Sequence, residues 1–207
     1  MSPSVRPRVL FGGDSITDAG RREDPDGWGD GYVRLIAEDP AAASVEVINA
    51  GVGGDRVADL RRRWADDVLA ARPDVVTVLV GVNDMWRRYD SDDPTTATAF
   101  REGYAAVLDA TVAAGVSRLV LMEPFFVPLT DDQRAWRDDD LEEKIAVTRS
   151  LAEEYSARLV PLDDLFTAAA AREGVEQIVP DGVHPSARGH RMIADEWWRT
   201  ASDLLVE

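Results

Sequence analysis

Short, continuous apolar runs recur along the chain: Val9–Phe11, Val45–Ile48, Val75–Val80, Leu119–Met122 and Leu159–Pro161. They are rich in β-branched residues and do not alternate with polar positions, the pattern of strands covered on both faces. Between them the spacing of apolar positions changes to three and four. In "VADLRRRWADDVLAA", Val57, Leu60, Trp64, Val68 and Leu69 share one helical face. "AFREGYAAVLDATVAAG" repeats the pattern and stops at Gly115, a C-cap position. "DLEEKIAVTRSLAEEY" precedes the fifth run and "ARGHRMIADEWWRTASDLL" closes the series. Strand alternating with helix predicts an α/β fold: a parallel sheet with helices on both faces. No internal repeat or low-complexity linker interrupts it, so residues 1–207 read as one domain.

A doubly wound sheet of five strands commonly has the order 2-1-3-4-5. Its working crevice then lies beyond the carboxyl ends of the strands, around the switch between strands 1 and 3. The polar residues are placed as that topology requires. "FGGDS" follows the first strand, "NAGVGGDR" the second and "VGVNDMW" the third, each combining glycine with a hydrogen-bonding side chain. Gly12 and Gly13 suggest a turn at positive φ that brings the backbone close to a ligand, with Ser15 the first side chain beyond it.

Charge and composition narrow the partners. With 23 basic and 39 acidic residues the net charge is −16, a field that repels nucleic acid and anionic membrane surfaces. The absence of cysteine removes disulfides, thiol nucleophiles and thiolate metal sites. The opening "MSPSVRPRVLFGG" has no apolar leader and no segment reaches membrane-spanning length, so a cytoplasmic location is expected. His184 and His190 are the two histidines, too far apart along a helix to share a metal, and no EF-hand pattern is present. No metal and no cofactor is expected. Trp- and Arg-rich surface segments are compatible with a homo-oligomer.

Those two histidines limit any reaction that needs an imidazole base. In "VPDGVHPSARGH", Asp181 stands three residues before His184, close enough to orient its ring, while His190 falls within a helical pattern. A nucleophile, an imidazole and a carboxylate are the parts of a serine hydrolase, and Ser15 supplies the first. Asp163, after the fifth strand, is a lesser candidate for the acid. Donors for an oxyanion are available in the Ser15 N–H, a glycine N–H of the strand-2 loop and the Asn83 amide. Asp14 and Asp84 fit a role of holding their loops through backbone hydrogen bonds. Trp86, Arg87 and Tyr89 follow Asn83 and suit an aromatic and polar substrate wall, with Trp28, Phe125 and Phe126 at the same end of the sheet. Trp64, Trp197 and Trp198 follow helical periodicity and read as core. The competing class is a phosphate or flavin binder cradling an anion at Gly12–Thr17, which leaves Asn83, Asp181 and His184 without a task.

"FGGDSITD", "NAGVGGD", "GVND" and "DGVHP" together resemble the four sequence blocks of the SGNH, or GDSL, hydrolases, in order and across nearly the whole chain. The resemblance implies a flavodoxin-like three-layer α/β/α sandwich and ester hydrolysis through an acyl-enzyme. It makes Ser15 the nucleophile and Asp181 and His184 its partners, with Ser15, Gly54 and Asn83 as oxyanion donors; Gly53 is the alternative to Gly54. Longer stretches, "GDSITDAGR", "GVNDMWRRYD" and "LMEPFF" among them, are most similar to bacterial acetyl-xylooligosaccharide esterases. That implies a small acetylated oligosaccharide as substrate, although Pro180 stands where those esterases carry an aromatic. The alternative is a broad carboxylesterase or a lysophospholipase- or thioesterase-like hydrolase.

Overall fold

The structure, a computed structural model, describes residues 6–205. Five strands, β1 (Arg8–Gly13), β2 (Glu46–Gly51), β3 (Val75–Leu79), β4 (Arg118–Met122) and β5 (Arg158–Val160), pair in parallel in the order β2-β1-β3-β4-β5. This is the expected topology. Helices α3 (Val57–Asp67), α5 (Ala97–Ala113) and α7 (Glu142–Glu154) cover one face, and α2 (Tyr32–Ala37), α8 (Leu162–Glu173) and α10 (Ala187–Ala201) the other. Short helices α1 (Ser15–Asp18), α4 (Val82–Asp90), α6 (Asp131–Trp136) and α9 (Val175–Ile178) complete the chain.

Successive strand residues point to opposite faces, which divides the core in two. Leu10, Val76, Val78 and Leu121 pack with Leu60, Trp64, Phe100 and Tyr104. Val9, Phe11, Val75 and Val120 pack with Tyr32, Phe166, Ile193 and Trp197 on the other side. Both buried tryptophans place their N–H: Trp64 donates to Thr111 Oγ1 at 2.8 Å and Trp197 to Thr77 Oγ1 at 3.0 Å. Trp198 packs against the second cluster while only partly buried.

Three local expectations change. β2 runs on to Gly51 rather than ending at Ile48, because Asn49, Ala50 and Gly51 pair in register with Phe11, Gly12 and Gly13. Helices α2 and α8 carried no readable period: the first has six residues, and the second, "LDDLFTAAAARE", is alanine-rich with little contrast between its faces. Gly12 and Gly13 lie inside β1 rather than in a positive-φ turn. Space explains them. A β-carbon on Gly12 would meet the Trp64 ring at 2.8 Å, and one on Gly13 would meet Leu79 O and Thr17 Oγ1 at 2.4 Å.

Gly13 pairs with both Gly51 and Leu79, so the carboxyl ends of β1, β2 and β3 stop level with one another. The loops that leave them therefore meet.

Candidate active site

Asp14 follows β1 and caps α1, its Oδ1 accepting the Ile16 N–H at 3.0 Å. Ser15 is then the first residue of the helix, where a backbone N–H has no helical acceptor. Its Oγ lies 2.9 Å from His184 Nε2, and His184 Nδ1 lies 2.7 Å from Asp181 Oδ2. Asp181 also accepts the backbone N–H groups of His184 at 2.7 Å and Val183 at 2.9 Å through Oδ1. Burial raises the Asp181 pKa, but the bonds from the His184 ring and from the two amides outweigh it and hold the carboxyl below its usual range. Asp181 thus stays ionised and keeps the proton of His184 on Nδ1, leaving Nε2 to accept from Ser15.

The two glycines of the strand-2 loop differ in hydrogen bonding and in backbone conformation. The Gly53 N–H is already bonded to Asp18 Oδ2 at 2.9 Å. Gly54 sits at φ +84°, exposed, and its N–H has no acceptor among the described residues. Asn83, on the first turn of α4, donates one amide hydrogen to Asp55 O at 3.1 Å, which leaves the second available. Ser15, Gly53, Gly54, Asn83, Trp86, Arg87, Asp90 and His184 line one cleft of about 380 Å³.

The wall of this cleft corrects part of the expectation. Asn83, Trp86, Arg87 and Asp90 recur at helical spacing and share one face of α4. Tyr89 does not line the cleft: it stacks on Trp136 at 4.8 Å, on a different side of the helix. Phe125 and Phe126 are fully buried core, and half-buried Trp28 donates to Val47 O at 3.1 Å beside β2. Pro180 is exposed and also outside the cleft. Asp163 is engaged by Arg137 through both carboxylate oxygens. His190 accepts the Tyr32 N–H at 3.2 Å through Nδ1; burial and the nearby His184 lower its pKa to about 4, so it is neutral near pH 7. A larger hollow of about 590 Å³ beside α7 is lined by Arg137, Arg149 and four carboxylates, with both arginines paired, and offers no nucleophile with a base beside it.

Buried charge supports the loops from below. Asp84 accepts the Val57 N–H at 3.0 Å, fixing the start of α3 against α4. Burial pushes Asp84 up to about 7 against the lowering effects of that bond, of Lys144, of Thr95 and of Arg56. Asp14 is raised to about 7 by burial, opposed by its bond from Ile16 and reinforced by Asp84 and Asp55; its Oδ2 has no partner among the described residues. Arg63 ties the ends of β1 and β2 to the loop after β2, donating to Asp55 Oδ2 at 2.6 Å, Ala50 O at 2.7 Å and Gly13 O at 3.1 Å. Sequence reading did not single out Arg63, Asp55, Asp18 or Asp90. Asp90 was accessible from its seven-residue spacing to Asn83, and Asp18 from its three-residue spacing to Ser15. Arg63 had no local signal, since its partners are distant in sequence. Among the described residues no group of three His, Cys, Asp or Glu side chains could hold a metal ion, and no helix is long and apolar enough to cross a membrane.

Comparison with known proteins gives a consistent result. The GDSL-like Lipase/Acylhydrolase family model matches residues 11–192. An acetylxylan esterase of Geobacillus stearothermophilus is 33% identical over 210 residues, covering 93% of this chain and 92% of its own. A crystal structure of an acetylxylan esterase from that organism superposes with a TM-score of 0.83 at 28% identity, over 97% of this chain and 95% of the other. Catalytic mutants of that enzyme, one with a histidine and one with a serine replaced by alanine, superpose equally well. LAE5, an α/β hydrolase enzyme from the metagenome of Lake Arreo, Spain, has a TM-score of 0.85 at 27% identity, covering 97% of both chains.

Proposed function

The chain belongs to the GDSL-like lipase/acylhydrolase family, and from that premise we propose that it is a serine acetylesterase acting on short acetylated xylo-oligosaccharides. The observation that carries the reading is the unbroken chain from Ser15 Oγ to His184 and from His184 to Asp181, at 2.9 and 2.7 Å. Ser15 Oγ attacks the ester carbonyl carbon while His184 Nε2 takes its proton. Negative charge gathers on the carbonyl oxygen and is met by the N–H groups of Ser15 and Gly54 and by the Asn83 amide. The sugar oxygen departs with the proton from His184, leaving an acetyl group esterified to Ser15 Oγ. Water then enters, His184 takes one of its protons as its oxygen attacks the acetyl carbon, and the bond to Ser15 Oγ breaks as Oγ recovers the proton from His184, releasing acetic acid.

Two features support a small acyl group on a sugar. The carbonyl site is flanked by the Gly53–Gly54 loop and α4, and Trp86 is the one large apolar side chain among the residues lining the cleft. On the leaving-group side, Trp86 presents an aromatic face beside Arg87 and Asp90, a combination suited to stacking and hydrogen bonding with a pyranose. The named substrate of the Geobacillus relatives points the same way.

A panel of esters on one leaving group, from acetyl to octanoyl, tests acyl size, and acetylated xylo-oligosaccharides test the leaving group. Expected are a steep fall in kcat/KM beyond acetyl and turnover of the sugar acetates. Octanoyl esters cleaved faster than acetates would overturn the acetyl reading and favour a lysophospholipase- or thioesterase-like hydrolase. Ser15→Ala should lose roughly three or more orders of magnitude in kcat and all labelling by a fluorophosphonate.

A further inference from the structure

The one-turn helix α1 carries Ser15 at its start and Asp18 at its end, and the Asp18 carboxylate reaches across to the loop that bears Gly54. Its Oδ2 accepts the Gly53 N–H at 2.9 Å while its Oδ1 accepts the Arg21 N–H at 3.2 Å. The Asp18 backbone is itself tied down, its N–H bonded to Asp14 O at 2.9 Å. It also lies against Gly51 so closely that a β-carbon there would sit 2.3 Å from Asp18 N. The carboxylate is therefore a fixed acceptor on the same rigid turn as the nucleophile.

What it holds is a segment with little else to hold it. The Gly54 N–H belongs to the peptide plane between Gly53 and Gly54, whose tilt depends on ψ of one glycine and φ of the other. Neither residue has a side chain to restrict rotation, and nothing lies within 4 Å of the position a Gly54 β-carbon would take. The plane on one side is anchored by the Asp55 N–H bonding to Val52 O at 3.2 Å. The plane on the other side, carrying the Gly53 N–H, is anchored by Asp18. Between two fixed planes the central one is held at the tilt that leaves the Gly54 N–H unpaired among the described residues, in a loop where a β-carbon on Gly53 would lie 3.9 Å from Ser15 Cβ. The same bond engages the Gly53 N–H, so the two glycines do not compete for the oxyanion.

We propose that Asp18 is a positioning residue that sets the Gly54 oxyanion donor relative to Ser15, and that it acts in the transition state rather than in substrate binding. The inference rests on the reading of Ser15 and Gly54 given above. A donor preorganised for a developing charge affects kcat, because its bond strengthens only as the tetrahedral species forms. The acceptor is the necessary feature, and the negative charge is not.

Steady-state kinetics on an aryl acetate test this, with Ser15→Ala, Asp18→Ala and Asp18→Asn compared and thermal melting recorded for each. Asp18→Ala is expected to lower kcat by about 10- to 100-fold with KM within about twofold, the signature of a lost transition-state interaction. Asp18→Asn keeps an oxygen for Gly53 and is expected to recover kcat to within about threefold of the parent. If Asp18→Ala does not fold, Asp18→Ser takes its place, since its oxygen falls short of Gly53. Parent-like kcat in Asp18→Ala, a change confined to KM, or Asp18→Asn as impaired as Asp18→Ala would each overturn the proposal while an inactive Ser15→Ala keeps the nucleophile in place. An active Ser15→Ala would remove the site reading and the role of Asp18 with it.

Discussion

The two neighbouring glycines of the β2–α3 loop differ in what they tolerate. Gly54 is at φ +84°, a conformation in which an L-residue is strained by roughly 1–2 kcal/mol, and it lines the cleft. Gly53 is outside that region, and a β-carbon there would meet Asp18 Oδ2 at 3.7 Å and Ser15 Cβ at 3.9 Å, ordinary contacts. Gly53→Ala should therefore keep kcat within about threefold, whereas Gly54→Ala should lower it by about tenfold or more as the turn relaxes. Equal effects in the two variants would show that Gly54 has no special part. Asn83→Ala removes a side-chain donor and should cost on the order of 10²–10³ in kcat with a smaller change in KM. A loss confined to KM would instead assign Asn83 to substrate binding.

At the level of elements, α4 divides its aromatic residues between two tasks. Its cleft face carries Asn83, Trp86, Arg87 and Asp90, and Tyr89 lies off that face, stacked on Trp136 of α6. Trp86→Ala should weaken turnover of xylo-oligosaccharide acetates about tenfold more than turnover of an aryl acetate, since the sugar ring alone needs the platform. Tyr89→Ala should leave the ratio of the two substrates unchanged. It should instead lower the melting temperature, through loss of a stacked pair contributing about 1 kcal/mol beyond its burial. A shift of substrate ratio in Tyr89→Ala would place that ring in the site after all. The other side of the crevice is maintained by Arg63 of α3, whose three acceptors lie at the ends of β1 and β2 and in the oxyanion loop.

Across the whole molecule, the cost of assembling this crevice is concentrated in buried acid. Asp14 and Asp84 have pKa values raised by burial from the 3.8 of a free carboxyl to about 7. The folded protein thus binds protons that the unfolded chain releases between those values. Their contribution to stability is whole below about pH 4 and is lost as the pH rises through 7, with a slope of up to about 1.4 kcal/mol per pH unit for each group. Carboxyls held low in the fold, such as Asp181, work in the opposite sense, but below the ordinary carboxylate range. His190, lowered from 6.5 to about 4 in the fold, works in the opposite sense up to about pH 6.5, so urea unfolding midpoints should fall between about pH 6.5 and 8. Asp84→Asn, which retains an acceptor for the Val57 N–H, should flatten that dependence. An identical pH profile in the variant would mean that Asp84 is ionised throughout the range. The groups facing it are Lys144, itself fully buried and paired with Asp140, together with Thr95 and Arg56.

Periodicity along the chain was enough to place strands and long helices, because a strand buried on both faces must be apolar throughout and a covering helix must be apolar every third or fourth residue. Local chemistry was legible for the same kind of reason. Asp181 and His184 are three residues apart in one loop, and Ser15 and Asn83 each follow a strand end that the topology brings to the crevice. The expectations that failed depended on distance in space. Gly12 and Gly13 suggest a turn by residue type alone, whereas the Trp64 ring, Leu79 O and Thr17 Oγ1 occupy the space their side chains would need. Tyr89 is three residues from Trp86 and still outside the cleft, because its neighbour Trp136 comes from a helix more than forty positions on. Neither the choice between Gly53 and Gly54 nor the role of Arg63 is encoded locally. The hydrogen bonds that distinguish the two glycines and those of Arg63 run between segments that only the assembled sheet brings within 3 Å or so of each other.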